Sequence, residues 1–378
     1  RHHAGVGAGR RCPGAIRMKV LHVEAGKHYY GGARQVAYIV EGLARRGVTN
    51  VLACPPGAGI AAACAGHAQV VEMKMGGDAD AGMALRLAAL IRETRPDIVH
   101  LHSRRGADLW GGVAARLTGT RCVLSRRVDN PEARWLVALK YRLFDHVITI
   151  SEGIRQVLLS EGLAAHRASC VRSAVDATPY LEPVDAAAFR CEFDLPPDAR
   201  VIGVVAQMIP RKGHRYMIDA ADALRAAHPD VRVLFVGQGP LHDALEAEVR
   251  ARGLADVIRF AGFRNDLPRW LGGLDILAHP ADMEGLGVSL LQASAAAVPI
   301  VTCRAGGLPE AVADGVSGLL IEPGDVAALT AALRRLLDDP PLRHRLGAAG
   351  RARILADFSV DAMVDGNLTV YRRVLEQE

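Results

Sequence analysis

Short apolar runs alternate with longer amphipathic segments along most of the chain. Residues 18–23 and 98–101 are mostly apolar, which is typical of strands covered on both faces of a parallel sheet. Residues 33–46 instead repeat apolar positions at helical spacing, with Ile39 and Leu43 about one turn apart. Strands that alternate with helices in this way predict a parallel, doubly wound α/β sheet.

The same pattern predicts the remaining elements and a domain boundary. The predicted strands are 18–23, 51–54, 70–73, 98–101, 121–124, 145–150, 201–206, 232–236, 257–261, 275–278 and 299–303. The predicted helices are 33–46, 81–94, 110–117, 152–161, 184–193, 217–228, 241–252, 288–297, 326–338, 341–357 and 361–378, with further helix starts at Asp266 and Leu308. The alternation stops in the proline-rich segment 176–198 and then restarts, so we place the boundary between residues 178 and 179.

Length and composition fit two α/β domains. The 378 residues are 50% hydrophobic and 23% charged, which allows each domain a core of its own. The seven cysteines are scattered without a Cys-x-x-Cys pair, which argues against a disulfide framework or a zinc site and suits a reducing cytosol. No apolar run approaches the roughly 18 residues that span a bilayer. Residues 1–17 are rich in Gly, Ala and Arg, and we expect a disordered extension rather than a secretory signal.

Positive charge is concentrated in the first half of the chain. Residues 18–179 carry 21 Lys and Arg against 14 Asp and Glu, whereas residues 180–378 carry 21 against 27. A basic half favours an anionic partner or an anionic membrane surface, although ordinary variation of surface charge gives the same imbalance. We expect no nucleic-acid partner, because no nucleic-acid-binding motif occurs and the basic residues are not interleaved with aromatic ones.

The segment 275–325 has the glycine pattern of an anion site. A predicted strand ends at His279-Pro280, and Glu284-Gly-Leu-Gly287 opens the next helix. Glycines at such a turn let a ligand approach the backbone N–H groups of a helix N-terminus, and Glu284 adds a carboxylate there. The spacing alone also allows a turn without a ligand, in which the glutamate only complements the helix dipole.

The whole segment resembles the signature of the nucleotide-sugar glycosyltransferases of family four, which have the GT-B fold. The matching motifs are Glu284-Gly-Leu-Gly287, Gly306-Gly-Leu-Pro-Glu310, Asp314-Gly-Val-Ser-Gly318 and Pro323-Gly-Asp325. Further motifs that match in part are Gly31-Gly32, the run from Ala206 to Gly213, and Val236-Gly-Gln-Gly-Pro240. The chain departs from the family at Arg34, which replaces an acid, at Gln207, which replaces a diphosphate-binding arginine, and at Gln292, which replaces a ribose-binding acid.

The resemblance implies two Rossmann-like doubly wound domains that face each other across a cleft. Residues 18–178 would bind the acceptor, residues 179–360 would bind the donor, and the helix 361–378 would pack back on the first domain. The reaction would retain the anomeric configuration and need no metal or other cofactor, with Lys212 and Glu284 as the catalytic residues. The implied donor-binding residues are Gly31, Gly32, Gln207, Arg211, Gly237, Arg264, Gly285, Leu286, Gly287 and Gln292.

Arginines follow two predicted strands of the first domain. Because the carboxyl ends of neighbouring parallel strands meet at one edge of a sheet, these side chains would form a positive pocket for a phosphorylated or carboxylated acceptor. The predicted acceptor-binding residues are His102, Arg104, Arg105, Arg126 and Arg127. The alternative is that the arginines form salt bridges with the nearby acids Asp108, Asp129 and Glu132.

The sequence therefore predicts a retaining glycosyltransferase that modifies an envelope glycan or glycolipid, such as the lipopolysaccharide core. Its expected partners are a nucleotide-sugar donor, the acceptor and an anionic membrane contacted peripherally. We expect it in the cytoplasm, at the inner face of the cytoplasmic membrane. Two alternatives stay open: a non-catalytic nucleotide-sugar-binding protein, motivated by Gln207 and Gln292, and a GT-B sugar-nucleotide epimerase, which would need an acid and a histidine together in the cleft.

Overall fold

Two sheets organise the described part of the chain. The structure, a computed structural model, describes residues 18–29, 31–102, 106–128 and 132–376, so the predicted extension lies outside the described residues. Contacts group these residues into two compact units. The first combines the described parts of 1–124, 143–145 and 371–378, and the second combines those of 125–142 and 146–370. No described helix is both long enough and apolar enough to span a bilayer.

The first sheet has seven strands within the described residues, in the order β3-β2-β1-β4-β5-β6-β7. These strands are β1 (Lys19–Val23), β2 (Thr49–Cys54), β3 (Gln69–Glu72), β4 (Ile98–Leu101), β5 (Arg121–Arg126), β6 (His146–Thr149) and β7 (Ala168–Cys170). His22 of β1 stands opposite Leu52 of β2 and His100 of β4 in parallel register. The strand order reverses between β1 and β4, which makes this the switch point of the sheet.

The second sheet has six strands within the described residues, in the order β10-β9-β8-β11-β12-β13. These strands are β8 (Arg200–Val205), β9 (Val231–Val236), β10 (Ile258–Gly262), β11 (Ile276–His279), β12 (Ile300–Cys303) and β13 (Gly318–Ile321). Its registered pairs are parallel, and its order reverses between β8 and β11. The predicted domain boundary at residue 178 falls between the last strand of the first sheet and the first strand of the second, and it stays a prediction.

Helices follow most of the strands. Those between strands of the first sheet are α1 (Gly31–Arg45), α2 (Gly59–Cys64), α3 (Gly82–Thr94), α4 (Ala107–Thr118), α5 (Arg134–Lys140) and α6 (Glu152–Ser160). The later ones are α7 (Ala186–Glu192), α8 (His214–Leu224), α9 (His242–Ala251), α10 (Val288–Ala295), α11 (Leu308–Ala311), α12 (Val326–Asp338), α13 (Pro340–Asp357) and α14 (Val360–Glu376). On α14, the Tyr371 hydroxyl lies 2.5 Å from Nδ1 of His100 on β4.

The structure differs from the predicted elements where the sequence lacks a clear period. The helices α2 and α5 were not predicted, because α2 is a short alanine-rich run and α5 leaves Trp135 and Leu139 exposed. The helix predicted to start at Asp266 is wrong: the chain forms only two 3-10 turns there, since Pro268 and the following glycines interrupt it. The helix α8 begins at His214, earlier than predicted, directly after Gly213 in a left-handed conformation, and it ends at Leu224.

Several motif residues shape the backbone of the second unit. Asp314 accepts a hydrogen bond from Leu320 N at 2.9 Å and contacts Arg304, and Asp325 caps α12 through Ala328 N at 2.8 Å. These carboxylates therefore stabilise turns and a helix end.

Glu310 has a structural role as well. Its carboxylate accepts a hydrogen bond from Gly153 N in the first turn of α6 at 2.8 Å and forms an ion pair with Arg172 at 3.0 Å. An anion at that helix end is favourable because the helix dipole is positive there.

His214 is buried edge-on against Phe235 of β9, with ring centroids 5.0 Å apart. Neither of its ring nitrogens has a hydrogen-bond partner among the described residues. Burial, together with the neighbouring His279 and Lys212, lowers the pKa of His214 to about 4. The imidazole is therefore neutral at pH 7.

Replacing His214 with leucine should flatten the acid side of the stability profile. The unfolded chain binds a proton here near the ordinary pKa of 6.5, whereas the folded protein does so only near pH 4. The folded state therefore loses stability as the pH falls through this window. From pH 7 to pH 4 the wild type should lose about 3 kcal/mol more than the variant. Thermal melting across the window measures the difference, and parallel curves would contradict it.

Alanine at Gly213 should destabilise the protein more than alanine at Gly253. Both glycines have a left-handed φ, +69° and +64°, so both alanines carry a similar backbone strain of about 1–2 kcal/mol. A Cβ at Gly213 would lie 1.9 Å from the carbonyl oxygen of Pro280, whereas one at Gly253 would meet no described atom within 4 Å. We expect a further loss of about 1–3 kcal/mol at Gly213. Equal melting temperatures for the two variants would show that the contact with Pro280 is not tight.

Candidate functional site

The turn after β8 and the loop after β11 interlock at the switch point of the second sheet. Gly213 allows the close approach to Pro280, and Arg211 O accepts a hydrogen bond from Asp282 N at 2.9 Å. Gly237 permits a similar approach on the other side of the turn, where an added Cβ would lie 2.0 Å from Ala206 O. Two segments far apart in sequence are thereby held together.

Lys212 and Glu284 meet where these segments interlock. The Lys212 ammonium contacts Glu284 Oε2 directly, and the two side chains are only 9% and 18% exposed. Glu284 Oε1 accepts a hydrogen bond from the backbone N–H of Gly285 at 3.0 Å, and Nε2 of His279 lies 3.2 Å from Oε2. The carboxylate is therefore anchored on both oxygens.

The surroundings of Glu284 keep it ionised. Burial opposes ionisation, but the hydrogen bond from His279 and the charge of Lys212 outweigh it, so the pKa of Glu284 lies well below its ordinary value. Burial lowers the pKa of His279, whose imidazole is neutral and donates from Nε2. Its Nδ1 therefore carries a lone pair, and this buried atom has no hydrogen-bond partner among the described residues.

The predicted glycine loop packs against a second glycine turn. Gly287 has a left-handed φ of +81° and precedes α10 directly. The N–H of Gly307 donates to the carbonyl oxygen of Glu284 at 3.0 Å, and a Cβ on Gly307 would lie 2.1 Å from Gly285 O. The helix α11 after Gly307 is a single turn. The helix after Gly287 is therefore the longer of the two.

The other predicted donor-binding residues occupy varied environments. Gln207 is exposed, Arg211 is half-buried, and Leu286 and Gln292 are buried. Gly31 and Gly32 begin α1, and a Cβ on Gly32 would meet nothing described within 4 Å.

Arg264 is already engaged by acids of its own unit. It forms ion pairs with Glu192 at 2.7 Å and Asp266 at 2.8 Å, and its guanidinium carbon lies 5.5 Å from the centre of the Trp270 ring. A donor would find this side chain already partly neutralised.

The predicted acceptor arginines are described only in part. Arg104 and Arg105 lie outside the described residues. Arg126 is buried in an ion pair with Glu132 at 2.8 Å and donates to the Tyr141 hydroxyl at 3.1 Å. The pairing with Glu132 that the sequence left open is therefore present. Arg127 is half-buried and its carbonyl oxygen faces Gly285, where an added Cβ would lie 2.8 Å away.

His102 belongs to a cluster of three buried imidazoles, with His22 and His100, whose nitrogens lie within 4.8 Å of one another. His22 Nδ1 and His102 Nε2 are 2.9 Å apart. Two nitrogens bound to one tetrahedral zinc ion at its usual bond length would be about 3.3 Å apart. The shorter distance is that of a hydrogen bond.

Sequence reasoning missed His22, His214 and His279 as site residues. His22 lies inside an apolar strand and His279 ends one, and a histidine in a buried strand next to a glycine-rich turn is the signal that could have drawn attention to them. His279 was noted only as the end of a strand, although its ring orients Glu284.

Comparison with known proteins matches both parts of the chain. The family model "Glycosyltransferase Family 4" matches residues 29–178, and "Glycosyl transferases group 1" matches residues 186–353. The 2-deoxystreptamine glucosyltransferase of Streptomyces kanamyceticus is 32% identical over an alignment of 301 residues that covers 74% of this chain and 78% of that protein. The lipopolysaccharide core biosynthesis glycosyltransferase LpsE of Rhizobium meliloti is 28% identical over 93% of this chain and 98% of that protein.

Solved structures share the fold. A glycosyltransferase from Rickettsia africae has a TM-score of 0.85 at 19% identity, covering 96% of this chain and 100% of that one. Anabaena HepE in complex with UDP and glucose has a TM-score of 0.82 at 19% identity, covering 94% of this chain and 100% of that one. The predicted GT-B fold with two parallel α/β sheets is thereby confirmed. The two family models and the relatives that match along most of their length show that this chain belongs to the group 1, family 4 glycosyltransferases and is an enzyme of glycosyl transfer.

Proposed function

We propose that the protein transfers a sugar from a nucleoside diphosphate sugar to a hydroxyl of an envelope glycan or glycolipid, such as the lipopolysaccharide core. The transfer retains the anomeric configuration and uses no metal ion. The observation that carries this proposal is the contact between Lys212 and Glu284 at the switch point of the second sheet. Open α/β sheets bind ligands at this edge. A largely buried cation and carboxylate at this edge are therefore well placed to contact a bound ligand.

Lys212 binds the diphosphate of the donor in this proposal. Its ammonium contacts Glu284 in the structure, so donor binding exchanges one anionic partner for another. A point charge beside the departing phosphate stabilises the negative charge that develops as the sugar leaves. The positive end of the α10 dipole, directly after Gly287, adds to the same effect.

Glu284 orients the donor sugar. Once Lys212 turns to the phosphate, the carboxylate stays anchored by Gly285 N–H and His279 and accepts hydrogen bonds from sugar hydroxyls. The bond between the anomeric carbon and the phosphate oxygen breaks, and its electrons stay on the phosphate. The acceptor oxygen bonds to the same face of that carbon, and its proton passes to a phosphate oxygen.

Two of the comparisons support the choice of donor and acceptor. LpsE, named for lipopolysaccharide core biosynthesis, matches this chain over 98% of its length, and HepE was solved with UDP and glucose. The excess of basic residues in 18–179, 21 against 14 acidic ones, supports an anionic acceptor or an anionic membrane beside it.

A non-catalytic nucleotide-sugar-binding protein is the second candidate. Gln207 is a neutral, exposed residue where the family has an arginine, which favours weaker hold on the leaving diphosphate. Donor turnover separates the candidates, because a binding protein releases the donor unchanged.

A sugar-nucleotide epimerase is the third candidate, because His279 and Glu284 are a histidine and an acid in direct contact. An epimerase would use such a pair to convert the donor into an isomeric nucleotide sugar without any acceptor.

Removing Lys212 should weaken donor binding. In a thermal-shift panel of UDP, GDP, ADP, CMP and their sugar conjugates, we expect one nucleoside diphosphate to raise the melting temperature of the wild type. The variant Lys212→Met should bind it at least about tenfold more weakly, because a charged hydrogen bond is lost. A wild type that responds to no donor would contradict the donor-site assignment.

The control must separate lost binding from lost stability. Lys212→Met leaves the Glu284 carboxylate without its cation, which costs about 3–5 kcal/mol, whereas Lys212→Met combined with Glu284→Gln removes both charges and should recover much of that loss. The double variant should melt near the wild type yet still bind the nucleotide at least about tenfold more weakly. Arg215→Met changes an exposed cation on α8, 64% exposed, and should bind normally. Equal weakening by Arg215→Met would mean that general positive charge holds the nucleotide.

Replacing Gln292 with glutamate should sharpen recognition of the ribose. Gln292 is buried on α10, where the family has the ribose-binding acid, and a carboxylate accepts from both ribose hydroxyls more strongly than an amide does. The preferred nucleoside diphosphate and its 2′,3′-dideoxy form are compared by titration calorimetry. The dideoxy penalty should grow about tenfold in Gln292→Glu. An unchanged loss of affinity for the dideoxy nucleotide would show that residue 292 does not contact the ribose.

A further inference from the structure

The short helix α5 has one apolar side that is exposed to solvent. Trp135 is 70% exposed and Leu139 is 62% exposed, although both are large apolar side chains. They lie four residues apart, so they are neighbours on one side of the helix. Val137 lies about 200° round the helix from Trp135 and is buried, as is Tyr141 directly after the helix. We call Trp135 and Leu139 the outer face of α5.

Buried contacts hold α5 in this orientation. The Tyr141 hydroxyl donates to Glu132 Oε2 at 3.0 Å, and the Tyr141 carbonyl oxygen accepts a hydrogen bond from Arg167 at 2.8 Å. The Glu132 carboxylate also forms the ion pair with Arg126. The helix is therefore anchored through its inner side, and its outer face is directed away from these contacts.

Basic residues flank the outer face. The segment 133–142 contains Arg134, Lys140 and Arg142 and no acidic residue. Arg134, next to Trp135 at the start of the helix, is exposed, whereas Lys140 is paired with Glu132 at 3.4 Å. Apolar side chains with basic neighbours are typical of helices that lie in the interface of an anionic bilayer, and tryptophan is enriched at the depth of the head groups.

Two other occupants fit this face less well. A helix that binds in a protein groove uses apolar anchors over two or more turns, whereas α5 has seven residues and two large exposed apolar side chains. A second copy of the chain on a two-fold axis would bring α5 against α5, so that like charges would face each other. A bilayer with anionic lipids supplies both an apolar interior and negative charge.

We propose that α5 is a membrane-binding helix, which inserts Trp135 and Leu139 at the head-group level of a bilayer and places Arg134 against the phosphate groups of anionic lipids. A glycolipid acceptor lies in such a bilayer, and the choice of a membrane as the partner rests in that respect on the proposed function. The exposed outer face itself does not depend on the donor site.

Substitutions on α5 should weaken the binding of anionic vesicles. Co-sedimentation compares the full chain on vesicles of phosphatidylcholine alone and of phosphatidylcholine with an equal part of phosphatidylglycerol, and we expect the wild type to bind the second kind more tightly. Trp135→Ser combined with Leu139→Ser should bind at least about tenfold more weakly, because less apolar surface leaves water. Arg134→Gln should bind about fivefold more weakly, because one charge is lost.

Leu85→Ser is the matched control. It replaces a leucine on α3 that is 69% exposed, and it should bind vesicles like the wild type. All variants change exposed side chains, so each should melt near the wild type. A wild type that does not bind anionic vesicles, or a loss in Leu85→Ser equal to that of the double serine variant, would overturn the proposal.

Tryptophan fluorescence shows whether α5 itself enters the bilayer. The chain has three tryptophans, of which Trp110 is half-buried and Trp270 is buried. On anionic vesicles the emission should shift to shorter wavelength and be protected from an aqueous quencher. Trp135→Phe keeps an aromatic ring for binding and should lose this change. Vesicle binding without the change, or a change that persists in Trp135→Phe, would overturn the proposal.

Sedimentation velocity without vesicles tests a second copy as the occupant. The wild type and the double serine variant should sediment alike, because α5 is not an interface between copies. A wild-type dimer that dissociates in the double serine variant would overturn the proposal.

The nucleotide thermal shift separates the membrane contact from the proposed donor site. The double serine variant should keep the shift of the wild type, because α5 is not part of the Lys212–Glu284 contact. If the wild type inserts Trp135 into vesicles but shows no nucleotide shift, the proposed donor site fails and the membrane contact stands. If the nucleotide shift is present but anionic vesicles are not bound, only the membrane contact fails.

Discussion

The largely buried ion pair between Lys212 and Glu284 is the interaction on which the candidate site depends. Two charges removed from water cost more than their attraction returns unless further hydrogen bonds satisfy them. Glu284 meets this condition, because one oxygen accepts from Gly285 N–H and the other contacts both Lys212 and His279. The backbone around it leaves no room for side chains at Gly213 and Gly307. The glycines of this region therefore serve first to bring two loops together.

Such a pair is well suited to exchange partners with a ligand. In the proposed function the cation is present before the donor arrives, so little reorganisation would be needed for the phosphate to replace the carboxylate. The two loops that carry it follow β8 and β11, which are adjacent at the switch point. The first sheet also has a contact between polar side chains at its switch point, where His22 of β1 and His102 after β4 share a hydrogen bond. In both sheets, polar side chains contact each other where the strand order reverses.

Local pattern was enough to predict most strands, the long helices and the glycine turn that bears Glu284, and the family resemblance pointed to the turn that bears Lys212. It was not enough for α2 and α5, whose short runs have no helical period. The local sequence pattern could not predict which residues contact each other in the tertiary structure. Glu310 meets Gly153 across 157 residues of sequence, and His22 meets His102 across 80. The roles of such residues depend on long-range contacts in the folded protein, and these contacts cannot be predicted from a single sequence.

The most direct measurement is a crystal structure of the protein with the nucleoside diphosphate that stabilises it most. The account predicts that Lys212 Nζ leaves Glu284 and lies within hydrogen-bond distance, about 3 Å, of an oxygen of the terminal phosphate. Glu284 should keep its hydrogen bond from Gly285 N–H and its contact with His279. A nucleotide bound with the ion pair intact and its phosphates held elsewhere would contradict the assignment of Lys212 as the residue that stabilises the leaving group.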